Sequence, residues 1–170
     1  HHYDAVVHAL RKRGLEVITA FASGLDARPA IEKYFVSDGE PTIDLLLSLT
    51  GFSLVGGPAY NDAKAAEELL TKLDVPYLAA HALEFQSIEK WQTSIHGLMP
   101  VESTMMVAIP ELDGATVPSV FGGRSEGDAS ANSPGGNTLR GHEERIEKLA
   151  ERVYTIVSLR RAPKNGRPFT

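Results

Sequence analysis

The sequence predicts an α/β protein in which a parallel sheet is flanked by helices, a Rossmann-like three-layer arrangement, and three observations carry that expectation. Apolar runs rich in β-branched residues alternate along the chain with stretches of helical periodicity. One of them, Ile43-Asp44-Leu45-Leu46-Leu47-Ser48-Leu49-Thr50, is apolar almost without a break, as strands covered on both faces are. Glycine and proline clusters separate run from helix, and strand, loop, helix, strand in that succession gives parallel pairing. With 170 residues, 42% of them hydrophobic, the chain can bury one ordinary core. Residues 1–170 therefore read as a single α/β domain or a compact piece of a larger protein.

Tyr3 to Arg13 forms an amphipathic helix with Val6, Val7 and Leu10 on one side, stopped at Gly14. No strand precedes this helix to supply a sheet partner, which suggests that its preceding strand lies outside these residues. His1 is set aside, because a leading His-His pair is a common tag remnant. Leu15 to Phe21 is the first expected strand and Ala22-Ser23-Gly24-Leu25-Asp26 its exit loop. Pro29 opens a short helix through Tyr34, and Ser37 to Pro41 is a turn cluster before the strand from Ile43. A glycine-rich loop, Gly51 to Pro58, leads to a helix capped by Asn61 or Asp62 and running to Leu73. Val75 to Ala80 is the next strand. In such sheets ligands gather at the carboxyl ends of the strands, so the loops beginning at Ala22, Gly51 and His81 should converge on one edge.

Further along, Ser87 caps a helical turn with Glu89 and Trp91, and Pro100 starts a helix carrying Met105 and Met106. Val117 to Phe121 is a further strand ending in Gly122-Gly123-Arg124. Residues 125–141 are mostly small and polar and are expected to form a mobile or disordered loop. The helix over 142–161 places Ile146, Leu149, Val153, Ile156 and Val157 on one stripe that docks it to the body.

Composition excludes several function classes. The formal charge of -5 is spread along the chain, and no basic run exceeds Arg11-Lys12-Arg13, so nucleic acid is not an expected partner. No apolar stretch is long enough for a transmembrane segment. Without cysteine, any metal must meet oxygen or imidazole. Neither a Walker loop nor G-x-G-x-x-G is present, so ATP is not expected to bind here.

The strongest chemical candidates are Glu111 and Asp113, set where the apolar run Met105-Met106-Val107-Ala108 stops. In an extended or turn segment, residues two apart point the same way, so both carboxylates would face one ligand. They could then hold a hard cation such as magnesium, or one could act as a base if burial raised its pKa. The competing reading is that Asp113-Gly114 makes only a turn. Phe52, Gly56 and Gly57 in the glycine-rich loop suit a flat, bulky ligand approaching the backbone. His81, just past an expected strand, is the one histidine retained, because the others lack metal-ligand spacing. Gln86, with Glu89 and Trp91, lines the same edge.

Three segments carry a family resemblance: Phe21 to Glu32 (FASGLDARPAIE), Ser48 to Ala59 (SLTGFSLVGGPA) and Ala108 to Ala115 (AIPELDGA). In this order they resemble the large, porphyrin-binding H subunit of magnesium chelatase, which is related to the large subunit of cobaltochelatase. The likeness covers about Tyr3 to Arg124. Tyr60-Asn61-Asp62 and Pro100-Val101-Glu102-Ser103-Thr104 look more like the bacteriochlorophyll-making branch than the cyanobacterial or plant one. The resemblance implies insertion of Mg2+ into protoporphyrin IX, both as substrates, driven by ATP hydrolysis on separate AAA+ partner subunits. It also implies an internal fragment, inactive alone, whose partners are the remainder of the H subunit, the ATPase subunits and porphyrin. The expected location is the cytoplasm, peripheral to photosynthetic membranes, or the stroma in a plastid. Glu111 is then the base or magnesium guide, and Asp113 assists it or holds the loop. A noncatalytic scaffold within the same subunit and a cobaltochelatase large subunit are the alternatives.

Overall fold

The computed structural model describes residues 2–57, 60–126 and 137–162. Helices α1 (His2–Lys12) and α2 (Arg28–Phe35) are followed by a small hairpin of β1 (Val36–Ser37) and β2 (Glu40–Pro41). Next come β3 (Leu46–Ser48), a second hairpin of β4 (Gly56–Gly57) and β5 (Tyr60–Asn61), α3 (Ala63–Leu73) and the long β6 (Tyr77–Ser87). Then α4 (Ile88–Thr93), α5 (Pro100–Ser103), a π-helical turn (Thr104–Ala108) and α6 (Ile109–Leu112) lead to β7 (Thr116–Glu126), β8 (Asn137–Gly141) and α7 (Glu143–Arg161).

The main sheet has the order β3-β6-β7-β8. β3 and β7 each run parallel to β6, and β8 is antiparallel to β7, so the α/β expectation stands with a mixed rather than a wholly parallel sheet. Alternation along β6 divides the core. Leu78, Ala80 and Ala82 face Val6, Ala9 and Leu10 of α1 and Ile146, Leu149 and Val153 of α7. Tyr77 and Ala79 belong to the opposite layer, with Ile31 and Phe35 of α2 and Ala66, Leu69 and Leu73 of α3. The three- and four-residue spacing of those side chains is what makes each segment a helix with one buried stripe. Asp62 starts α3 by accepting from Ala65 N at 3.0 Å.

Four expectations need correction. Leu15 to Phe21 belongs to no helix or strand, and among the described residues no backbone hydrogen bond joins it to the 43–50 run. Leu15 and Val17 still pack on the core under α1 and α7. Pairing requires a neighbour about 4.8 Å away, and a cleft occupies that position. The strand expected to end at Ala80 runs on to Ser87, because buried residues continue through Leu83, so His81 sits inside a strand and not in a loop.

The supposed loop over 125–141 is strand at both ends, with Ser125 paired to Thr138 and Gly122 to Gly141. Gly122 makes that closeness possible, since a Cβ there would lie 2.3 Å from Arg140 O. Residues 127–136 lie outside the described residues. Finally, the Ile109 to Asp113 segment is helical rather than extended. Pro110 cannot donate to the carbonyl four residues back, and its ring crowds that position. The preceding turn widens to π geometry, which lets helix continue through the proline.

Candidate functional site

The helical path of α6 separates the two carboxylates, because residues two apart on a helix diverge by about 200°. Asp113 is 2% exposed and turns inward. Its Oδ2 accepts from Leu54 N at 2.8 Å and its Oδ1 from Asn61 Nδ2 at 3.4 Å. Glu111 is exposed. The shared hollow expected from their spacing is therefore not formed, and among the described residues no group of three or more His, Asp or Glu could hold a metal ion.

Asp113 instead ties the glycine-rich loop to α6. The same loop is fastened to the loop after Ala22: Ala27 N donates to Leu54 O at 2.8 Å and Gly56 N to Leu25 O at 2.6 Å. Those two loops converge as expected. Gly56 has φ +114°, and a Cβ on it would lie 2.2 Å from Tyr60 O, so the tight hairpin requires glycine there. Gly57 lies against Leu25, where a Cβ would stand 2.8 Å from its Cδ1. Both glycines are thus explained by internal packing, and Phe52 between them and β3 is half-buried. Asp113→Asn should lower stability by about 1–2 kcal/mol, since the amide keeps one acceptor and turns a donor on Leu54 N or Asn61. Denaturant unfolding would register it as a lower midpoint at unchanged slope.

His81 lies beneath this loop, 1% exposed. Neither ring nitrogen has a hydrogen-bond partner, and burial pushes its pKa down to about 4, so the ring is neutral near pH 7. Gly51 covers it closely: a Cβ at Gly51 would be 3.0 Å from His81 Cβ and 3.7 Å from Met106 Cγ, on the π turn. π turns in helices are frequent at functional sites.

Gln86 is occupied internally. Its side-chain amide donates to Gly97 O at 3.3 Å and to Glu102 Oε2, and its backbone N donates to Glu102 Oε1 at 3.3 Å. Glu102 is 0% exposed and also accepts from Met99 N at 3.0 Å. Sequence reasoning passed over Glu102. The available signal was a glutamate at the third helical position after Pro100, half of a capping box with Met99 where a hydroxyl is usual. Around this junction Phe85, Ile95, Met99 and Val101 are exposed apolar side chains.

Of the expected pair, Glu111 is the exposed carboxylate, and Asp113 holds the glycine-rich loop that covers a buried neutral imidazole. No helix among the described residues is long and apolar enough to cross a membrane.

Comparisons with known proteins agree on one lineage. The profile described as CobN/Magnesium Chelatase matches residues 1–168. The chain is 51% identical over 171 residues to the magnesium-chelatase H subunit of Cereibacter sphaeroides, covering 95% of this chain and 14% of that protein. It is 41% identical over 165 residues to the chloroplastic magnesium-chelatase subunit ChlH of Oryza sativa subsp. japonica, covering 96% of this chain and 11% of that protein. Among solved structures, the catalytic subunit of cobaltochelatase from Mycobacterium tuberculosis superposes with a TM-score of 0.70 at 23% identity, over 98% of this chain and 14% of that one, which establishes the shared fold. By profile and identity alike, this chain belongs to the CobN/magnesium chelatase family.

Proposed function

We propose that this domain is part of a magnesium chelatase H subunit and helps form the site where Mg2+ enters protoporphyrin IX, with ATP hydrolysed by separate AAA+ subunits. The observation that supports this reading is the 51% identity to an H subunit across 95% of the chain. Magnesium and the porphyrin are substrates, and the ion has to lose its water while two pyrrole protons leave. A carboxylate at the edge of an apolar site can accept a proton and guide a hard cation. Glu111 fills that role in our reading, and Asp113 positions the glycine-rich loop beside it. Such a protein would work in the cytoplasm, or in the stroma in a plastid.

In the complete enzyme, Glu111→Gln should reduce chelation at least about tenfold while leaving porphyrin binding, followed by fluorescence quenching, unchanged. Near-normal chelation with binding intact rejects the role. The scaffold reading is favoured by a specific observation, the internal use of Asp113, Gln86 and Glu102 beside an exposed apolar rim. It predicts that Phe85→Ser weakens assembly of the subunit but spares porphyrin binding. Metal preference in the same assay, magnesium against cobalt, separates the cobaltochelatase alternative.

A further inference from the structure

A cleft of about 480 Å³ runs between the Leu15 to Phe21 segment and the Ile43 to Thr50 run. α1 and α7 close it on one face through Val6, Leu10 and Val153, and α2 closes it on the other through Ile31 and Phe35. It is therefore a slot in the sheet layer, with the unpaired 15–21 segment on one side and β3 on the other. β3 has β6 as its neighbour on one side and, among the described residues, no strand on the other. Yet the run containing β3 is almost continuously apolar, the composition of an interior strand and not of an edge.

Handedness says what belongs in the slot. β3 reaches β6 through α3, which lies on the face of Tyr77 and Ala79. Parallel crossovers are right-handed in about 98% of cases, so on that face the chain steps in one direction across the sheet. α2 lies on the same face and carries the chain from Phe21 to β3 in the same direction. α1 packs on the opposite face, with Leu78 and Ala80. A right-handed crossover through α1 into Leu15 to Phe21 must then step the other way, and its starting strand falls on the β3 side of that segment. That side is the cleft.

We infer that the cleft receives one more parallel β-strand, contributed by the longer polypeptides of this family and leading into α1. The strand order becomes 15–21, inserted strand, β3, β6, β7, β8, with the first five parallel. This is the doubly wound order 2-1-3-4-5. The family relatives supply ample chain for it, since these residues cover 14% of the C. sphaeroides protein. A small apolar ligand fits the volume less well than a strand does, because it offers no partners to the backbone N–H and C=O groups that line the cleft. The inserted strand satisfies those groups and puts alternate side chains on the α1 and α2 faces.

The test uses the complete subunit. Hydrogen exchange at the cleft-facing amides of Glu16 to Phe21 and of Leu45, Leu47 and Leu49 should be at least about a hundredfold slower than in an unstructured chain, without porphyrin present, whereas Leu46 N already pairs with Pro76 O. Slow exchange could also follow from the two segments closing on each other, so a cysteine pair, Val17→Cys with Leu47→Cys, reports their separation. With a strand between them the backbones stand two spacings apart, about 9.6 Å, beyond disulfide reach, and the pair stays reduced. Fast exchange at both segments, a disulfide between the two introduced cysteines, or protection that arises only when protoporphyrin IX is added would each overturn the inference. None of these outcomes bears on whether Glu111 acts in chelation.

Discussion

Lowering the pH from 7 to 4 is expected to remove about 3 kcal/mol of folding stability through His81 alone, at about 1.4 kcal/mol for each tenfold change in proton affinity. The ring is 1% exposed with both nitrogens unpartnered, and its pKa falls from 6.5 to about 4 in the folded chain because burial disfavours the imidazolium. A depressed histidine pKa means that the unfolded chain binds the proton first. Above pH 6.5 neither state is protonated and His81 imposes no penalty. Between pH 6.5 and 4 the unfolded state gains a proton that the folded state refuses, so stability falls as pH falls and levels off below about 4. His81→Leu, of similar size, should flatten this part of the profile. Urea unfolding of both proteins at several pH values would decide it, and an unchanged decline in His81→Leu would refute the assignment. The variant also bears on the loop above, because Gly51 rests on the ring and Met106 of the π turn lies beside it. Protonation in the folded state would have to lift that cover, so acid should loosen the glycine-rich loop before the sheet.

Much of the layer architecture could be read from periodicity, since the stripes on α1, α3 and α7 repeat every three or four residues and the run containing β3 is apolar almost throughout. The site was less legible because its geometry depends on one local competition. Glu111 and Asp113 share a face only if their segment is extended, and Pro110 argues for that by its lack of an N–H. The structure resolves the conflict differently, by widening the preceding turn to a π turn and keeping the helix. One carboxylate then turns inward and the other outward. The reading of residues 125–141 had a similar origin: small polar residues bury little, yet Asn137 to Gly141 pairs along β7 through backbone groups that composition does not report. The Leu15 to Phe21 segment has a strand's composition but, among the described residues, no strand beside it. Local sequence sets conformation, and pairing requires a neighbour that local sequence does not contain.

Glu102→Leu should cost about 3 kcal/mol, an effect comparable to that of acid on His81. The carboxylate is 0% exposed and collects three donors, Gln86 N, the Gln86 side-chain amide and Met99 N. Among the described residues no cation pairs with it in a salt bridge, so hydrogen bonds from these donors are what satisfy it away from water. Leucine fills the space but accepts nothing, and each buried donor left unpaired costs about 1–3 kcal/mol. The Gln86 amide retains Gly97 O, which limits the loss to the two backbone donors and part of a third. Adding Gln86→Leu removes the half-orphaned amide but also its bond to Gly97 O, so the double variant should cost less than the sum of the two single variants without recovering the loss of Glu102→Leu. A purely additive cycle would show that the two side chains do not interact. The functional consequence follows from position: Glu102 joins the end of β6 to the start of the helical stretch that carries the π turn and Glu111. On the proposed chelatase reading, loosening that joint should impair the complete enzyme in proportion to the stability lost, and unlike Glu111→Gln it should weaken porphyrin binding along with chelation. Parallel measurement of unfolding, porphyrin quenching and chelation in the two variants separates a residue that shapes the site from one that acts in it.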